Sequence, residues 1–498
     1  MFLLSTPRSP ALNPHPRGGN AMQASLFNVR VPLPDRSEVF LMNTLTDAQL
    51  IVSEDVATLL DRLDGGTSLG DLEADEREAI DTLHAHGFVA PSREEERATL
   101  DRFFSDFRED TSQLRLTVLT TLQCNFACDY CFQGDHADYN AKATKMSLQT
   151  AERVVAWAET KIDTLQPKSV ALTFFGGEPL LNLPVMYYLA ERVWDIAQAR
   201  GATLLINVIT NGLLLTPEVV DRLVPYGLNG IKVTLDGDRE THNRMRPLRG
   251  GQGTFDKIIR NLGQVAGKCR ISIGGNFDAD TVDSYPALLD FLRSQDFADD
   301  IGRVNFKPVF RDRDAQPPTA RVDHVGGRRM IPLAAVDGHG KPLGGTCMTS
   351  VGAGGSSPCD SCHFVDEQLS FLREETKKRG FRTKDGVHMG PCELHKRHAY
   401  TIGPSGELYS CPGFTGDPTL SVGDIDGRQQ PWQRAVSDRF EQHAPWKACG
   451  DCSFIPVCGG GCSVAAHAEL GDMSAPSCHK SSMETALVSL AQEVASGA

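Results

Sequence analysis

The sequence predicts an α/β fold. A parallel sheet, open or curled into a partial (β/α)6 barrel, is preceded by a small α+β domain and followed by a Cys-rich C-terminal domain of the kind that metal ligation holds together. Three observations predict it. From residue 114 short apolar runs alternate with amphipathic helical stretches, the pattern of a parallel sheet. Ahead of that, residues 23–100 place three strand patterns before two helical ones. Beyond residue 390, cysteine and glycine replace hydrophobic periodicity, which suits a unit stabilised by metal ligation more than by a large core.

Size and charge set the frame. A chain of 498 residues is too long for one hydrophobic core, and about two to four domains are expected. The net charge of −14 excludes a phosphate-binding surface as the organising feature, so no nucleic-acid partner is expected. No apolar stretch is long enough to span a bilayer, and the start lacks the basic and apolar regions of a secretory signal, so a cytoplasmic protein with no membrane partner is expected. Fourteen cysteines in a long chain without such a signal point to metal or cluster ligation in a reducing compartment. Only Cys269 stands apart from the clusters, at the start of an apolar run, where it reads as a core thiol.

Taken in order, residues 1–22 read as a Pro/Arg-rich disordered tail, with Met22 a second candidate start. In the unit 23–100, strands are expected at 26–33, 39–42 and 49–52 and helices at 55–63 and 76–86. A charged helix from Arg93 to about Phe107 leads into a linker, 101–112. The barrel segment 113–310 has expected strands at 115–121, 169–175, 203–209, 230–235, 270–274 and 304–309. Helices are expected at 147–162, 184–199 and 217–223, the last two opening on proline, which suits the first helical position. Residues 311–390 lose this rhythm and form a bridging region, with a Gly/Ser-rich loop at 344–358. Residues 391–498 form the cysteine-rich domain.

Chemistry concentrates after the first barrel strand, in Thr121-Leu122-Gln123-Cys124-Asn125-Phe126-Ala127-Cys128-Asp129-Tyr130-Cys131. Three thiolates can hold three irons of a [4Fe–4S] cluster, where electron-transfer clusters use four, leaving one iron open for a substrate atom. The competing reading is a zinc knuckle, which needs a fourth ligand; His136 is the nearby candidate. This CxxxCxxC spacing, with an aromatic before the third cysteine, resembles the signature of the radical SAM superfamily. The likeness continues through the segment 114–310. Gly176-Gly177-Glu178-Pro179 resembles the motif that receives the amino group of S-adenosylmethionine (SAM), glycines allowing close backbone approach and a carboxylate meeting an ammonium. Thr210-Asn211-Gly212 and Asp236-Gly237 resemble positions lining the SAM ribose and substrate cavity. His242 and Arg246, before Gly250-Gly251-Gln252-Gly253-Thr254-Phe255, resemble a further family stretch in which Asn243 replaces the usual Asp. The resemblance implies SAM contacts from Tyr130, Gly176, Gly177, Glu178, Pro179, Asn211, Asp236 and Arg246. It also implies reductive cleavage of SAM to a 5′-deoxyadenosyl radical that abstracts hydrogen from the substrate. A reductase, flavodoxin or ferredoxin would serve as electron donor. No acid–base dyad is needed for that step, because the cofactor supplies the hard chemistry.

In the C-terminal domain the spacing Cys392-x13-Gly406-x4-Cys411, then Cys449-x2-Cys452-x5-Cys458-x3-Cys462, then Cys478, resembles the seven-cysteine SPASM domain. That resemblance implies two auxiliary [4Fe–4S] clusters, one on Cys392, Cys411 and Cys462 and one on Cys449, Cys452, Cys458 and Cys478, for three clusters in all. A fourth ligand for the first would come from upstream, where Cys362 and Cys359 are nearest. Cys347, Cys359 and Cys362 read equally as a small zinc site or free thiols. His395 and His398 read as solvated.

SPASM-type enzymes mostly modify peptides and proteins, so a precursor peptide or protein substrate is expected. One reading is maturation of a ribosomally made peptide by a thioether or carbon–carbon crosslink. The unit 23–100 resembles, in pattern, the peptide-recognition domain of such maturases, which adds a leader peptide to a sheet edge. A second is oxidation of a sulfatase residue to formylglycine. Those enzymes carry an Asp after the cysteine matching Cys411, and Pro412 stands there in this chain. A third is a non-catalytic iron–sulfur electron carrier, which would not need Gly176–Pro179 or an open iron.

Overall fold

The computed structural model describes residues 22–309 and 360–496, apart from 129, 132–142, 385, 388 and 389, together with the short strands Phe2–Leu3, His324–Val325 and Arg328–Arg329. Six parallel strands lie side by side in chain order: Gln113–Thr121, Ser169–Gly176, Thr203–Thr210, Leu228–Thr234, Ile271–Phe277 and Ile301–Pro308. Alternation decides their faces. In the first strand Leu114, Leu116 and Val118 are buried under the helices Leu148–Leu165 and Leu183–Ala199, while the intervening residues face the inside of the curved sheet. The expected strands and helices of the barrel are all present, with ends shifted by a few residues. Ser147 caps its helix through a 3.0 Å bond from Thr150 N, and Pro217 opens another.

The sheet extends beyond the six strands expected. Ala399–Ile402 joins in parallel beside Gln113–Thr121, and Glu407–Tyr409 and Gly423–Asp424 follow antiparallel, giving nine strands. The C-terminal domain is therefore continuous with the barrel sheet. It also carries more helix than its composition suggests, at Pro431–Glu441 and Lys480–Ser496. The bridging region contributes the helix Asp360–Lys378, which packs Leu372 into the barrel core beside Phe381.

The N-terminal unit is a four-stranded antiparallel sheet in the order Phe2–Leu3, Gln49–Ser53, Glu38–Asn43, Asn28–Leu33. The run Val39-Phe40-Leu41-Met42 is apolar at every position because both faces are covered. Val39 and Leu41 pack under the unit's own helices Glu54–Asp64 and Ala74–Ala85. Phe40 and Met42, with Val29, Val31 and Leu33, pack against Phe454, Val457 and the helix Lys480–Ser496 through Ala486, Leu487 and Ala491. The helix Arg93–Glu109 runs through the segment expected as a linker and buries Leu100 and Phe104; the Phe104 ring stacks on Trp446 at 3.8 Å. At the start of the chain, Met22 is buried in the unit's core and Phe2–Leu3 pair with Ile51 and Leu50, so these positions belong to the fold and not to a tail. Among the described residues no helix is long and apolar enough to cross a membrane.

Candidate functional site

The cysteine loop leaves the C-terminal end of the first barrel strand, where parallel-sheet enzymes place their working residues. It is clipped at both sides. Leu122 N donates to Thr144 O (2.8 Å), and Ala127 N donates to Pro247 O (2.9 Å). The Gly176–Pro179 segment lies directly against it, with Gly177 N on Thr121 O (3.0 Å) and Glu178 N on Gln123 O (2.9 Å). This contact explains the glycines. A Cβ on Gly176, whose φ is +122°, would meet Thr121 O at 2.3 Å, and one on Gly177 would meet Gln123 O at 2.4 Å. Both atoms are backbone and cannot swing aside. Gly177→Ala should therefore push Cys124 out of place at a cost of about 1–3 kcal/mol. Iron content at this loop and 5′-deoxyadenosine release should fall together, and a variant indistinguishable from wild type in both assays would show that the loops need no such contact.

Glu178 is fully buried. Its carboxylate accepts from Thr210 Oγ1 (2.7 Å), Leu180 N (3.0 Å) and Asn211 N (2.8 Å). Burial raises its pKa, and these bonds oppose the shift. Three acceptor sites of about four are thus used, two to pin the end of the third strand and one to cap the turn Pro179–Asn182, leaving one for a ligand. Asn211 continues the bridge: its Nδ2 donates to Asn125 Oδ1 (2.7 Å) and lies 4.0 Å from Cys124 Sγ. Glu178→Ala should weaken SAM binding by about 1.5–3 kcal/mol, the worth of a charge-assisted hydrogen bond. It should also lower thermal stability, because the Asn211 N–H is left buried without an acceptor. Equilibrium dialysis with SAM and a melting curve check both parts; unchanged SAM affinity removes Glu178 from the binding site.

The fourth and fifth strands supply a second buried group. The Tyr130 hydroxyl donates to Asp236 Oδ2 and accepts from Arg246 Nη1 (2.5 Å) and Asn276 Nδ2 (3.2 Å). Arg246 also faces Asp236 at 3.6 Å and sits over the Phe126 ring at 5.5 Å. Asn276 N donates to Asp236 Oδ1 (2.7 Å). The side chain of Tyr130 is thus a hub, in addition to whatever its backbone presents. His242 is a support. Its Nδ1 accepts from Asp236 N (3.1 Å) and its Nε2 faces Thr254 Oγ1 (3.0 Å), and burial holds its pKa well below the usual value. Asn243, standing where the family pattern has Asp, accepts from Thr254 N (2.8 Å) and Phe255 N (3.0 Å) at the start of the helix Phe255–Val265, a task one side-chain oxygen fulfils.

The described site cysteines fall into three groups, and none forms a disulfide. Cys124, Cys128 and Cys131 perturb one another electrostatically, and burial pushes the Cys124 and Cys128 thiols up to about 12. Cys392, Cys411 and Cys462 form the second group, and burial raises Cys411 to about 12. Cys449, Cys452, Cys458 and Cys478 form the third, with Cys458 raised by burial to about 12 and Cys449 to about 11. Among the described residues no three Cys, His, Asp or Glu side chains converge tightly enough for a single metal ion. A cubane takes one thiolate on each of several irons. The donor sets are all thiol and fit clusters of that kind.

His136, Cys347 and Cys359 lie outside the described residues, and Cys362 falls in the first turn of the helix Asp360–Lys378. Cys269 is half-buried against the barrel core, and burial raises its thiol to about 11. His395 corrects an expectation. Far from solvated, it is 3% exposed, stacked on His443 at 5.3 Å and edge-on to Trp446 at 5.0 Å, and burial lowers its pKa to about 3. The short helical turn Glu393–His395 folds it inward. His398 is half-buried, and burial lowers its pKa too. Asn276 and Asn125 carry roles at this site that motif reasoning did not pick out.

Residues 118–274 match the model of the Radical SAM superfamily. The chain carries a radical SAM domain. It is an enzyme domain, and radical SAM proteins bind a 4Fe–4S cluster and SAM. A serine-type anaerobic sulfatase-maturating enzyme of Bacteroides thetaiotaomicron is 24% identical over 359 residues, 68% of this chain and 80% of that protein. The radical SAM cyclopropyl synthase TigE of Paramaledivibacter caminithermalis is 26% identical over 179 residues, 34% of this chain and 35% of that protein. The AdoMet-bound structure of native anSMEcpe superposes with a TM-score of 0.53 at 16% identity, covering 77% of this chain and 98% of its own. That likeness bears on the fold: the radical SAM sheet is shared.

Proposed function

We propose that this radical SAM enzyme is a peptide maturase, joining atoms of a ribosomally made peptide by a thioether or carbon–carbon crosslink. The observation that carries the radical chemistry is the grouping of three thiols, buried Cys128 and half-buried Cys124 and Cys131, against Glu178, Asn211 and the Tyr130–Asp236–Arg246 hub. A [4Fe–4S] cluster held by Cys124, Cys128 and Cys131 would supply the electron for reductive cleavage of SAM and so the radical chemistry on the substrate. The protein's residues do the rest. Glu178 has one acceptor site left for the SAM ammonium, and Gly176, Gly177 and Pro179 shape the backbone around it. Asn211, Asp236 and Arg246 line the remaining SAM surface with fixed dipoles and charge. Cys392, Cys411 and Cys462, and Cys449, Cys452, Cys458 and Cys478, would hold two auxiliary clusters, and a reductase, flavodoxin or ferredoxin would donate electrons.

The peptide substrate is supported by the N-terminal sheet. The outer edge of its strand Gln49–Ser53 is paired, among the described residues, only by the two-residue strand Phe2–Leu3. An edge that accepts one short extended segment is suited to accept another. A second reading, formylglycine formation, is favoured by the sulfatase-maturating relative, which covers two thirds of this chain; Pro412, after Cys411, weighs against it. The test is anaerobic incubation with SAM, dithionite and candidate peptides. A crosslink in a precursor peptide, with 5′-deoxyadenosine formed in step, is expected. Loss of two hydrogens from a sulfatase peptide's Ser or Cys, with no crosslinking activity, would transfer the assignment to the second reading.

A further inference from the structure

Lys232 lies in the fourth barrel strand between Ile231 and Val233, which are buried in the helix-facing core. Alternation turns it to the inner face of the sheet. There its stem crosses the neighbouring strand at Gly274. A Cβ on that glycine would lie 2.4 Å from Lys232 Cε and 3.0 Å from Nζ, so only glycine leaves the lysine its path. One pleat further along the same strand, about 6.6 Å, stands Asn276, which donates to the Tyr130 hydroxyl and to Asp236. The Lys232 ammonium therefore sits one step inside the barrel from the Tyr130–Asp236–Arg246 hub.

This ammonium has no hydrogen bond or ion pair with the described residues. The charges acting on it are Lys307, on the sixth strand, and Lys384, whose backbone N is held by Asn305 Oδ1 at 2.8 Å; no carboxylate is among them. Burial, and then these two like charges, lower its pKa to about 8. Lys307 is exposed at the inner face, and its charge also reaches Cys392 and Cys411. A cationic path thus runs from the hub to the second cysteine group. A half-buried ammonium that faces two like charges and no carboxylate is a favourable place for an anion to pair.

We infer that the barrel interior is a carboxylate-binding site, with Lys232 at its floor and Lys307 and Lys384 toward its mouth, that takes an acidic side chain or terminal carboxylate of the substrate peptide. The inference rests on the proposed peptide substrate. Held on Lys232, the carboxylate places the residues next to it in sequence beside the hub, so the substrate carries Asp, Glu or its C-terminus close to the modified position. The carboxylate of SAM offers the same chemistry, and the test separates the two sources.

The experiment uses the full-length, cluster-reconstituted enzyme with its lysines reductively methylated with 13C-formaldehyde, each lysine giving its own resonance. The Lys232 signal is the one absent from Lys232→Arg, and Lys307→Arg assigns the second. The probes are N-acetyl-glutamate N-methylamide and its glutamine counterpart, each at up to tens of millimolar, with and without saturating SAM. The glutamate probe should move the Lys232 resonance and raise its titration midpoint, with SAM present as well as absent, and the glutamine probe should leave it in place. No response to the glutamate probe, or an equal response to both, overturns the site. A response to SAM alone that blocks the probe assigns the carboxylate to SAM and also overturns it. Any of these failures leaves peptide crosslinking, measured separately, untouched.

Discussion

Replacing Cys124, Cys128 and Cys131 together with alanine should remove about four of the roughly twelve irons expected in three clusters and abolish 5′-deoxyadenosine release. The two losses are linked because the cluster these thiolates would hold is the one that would reduce SAM. The fold should survive. The three thiols occupy a loop whose ends are held by backbone bonds, Leu122 N to Thr144 O and Ala127 N to Pro247 O, which alanine leaves intact. The other seven site cysteines lie in separate groups. Iron analysis and the product assay on the same anaerobic preparation decide the matter. A triple variant that still releases 5′-deoxyadenosine, or a wild-type protein that takes up zinc in place of iron under anaerobic reconstitution, would remove the basis for radical chemistry at this loop.

Deleting residues 23–100 should damage the far end of the chain. On its sequence this unit reads as separable, and its removal would then spare the clusters. The packing argues otherwise. Phe40, Met42, Val29 and Val31 form one core with Phe454, Val457 and the last helix, and Phe27 and Leu45 form another with Trp446 and Ile455. Cys452 packs against both cores, so the N-terminal sheet is a wall of the third cysteine group. Losing that wall exposes several large apolar side chains, each worth about 1.5–3 kcal/mol of burial. The truncated protein should aggregate or hold about four fewer irons. A soluble truncation with full iron would show that the contact is dispensable. Leader binding is consequently better probed in the intact chain. A precursor peptide should slow amide exchange along Gln49–Ser53, and no protection there would disconnect that edge from substrate recognition.

Much of the barrel was legible because local and global signals agree. Runs such as Val170-Ala171-Leu172 and Ile231-Lys232-Val233 sit between turn residues and helical periodicity, and the cysteine spacing needs no tertiary information. The unread parts were decided by distant partners. Ala399–Ile402 and Glu407–Tyr409 are too short to announce themselves, and they exist as strands because the first barrel strand offers a free edge. His395 stands beside Lys396 and Arg397 and reads as surface, but Trp446, Phe104 and His443 enclose it. No motif marks Lys232; its path across the sheet depends on a glycine in another strand. The helix Lys480–Ser496 has a weakly apolar pattern and owes its place to the N-terminal sheet it covers.

That coverage has a consequence for biosynthesis. The face carrying Val29, Val31, Phe40 and Met42 leaves the ribosome well before the helix Lys480–Ser496 that seals it. At about 5–20 residues per second, the greasy face waits roughly 20–90 s for its cover. Nascent chains must be shielded during that interval, by chaperones or by slow crowd-free translation. Any clipping of the final helix, even one that leaves every cysteine in place, converts this temporary exposure into a permanent one.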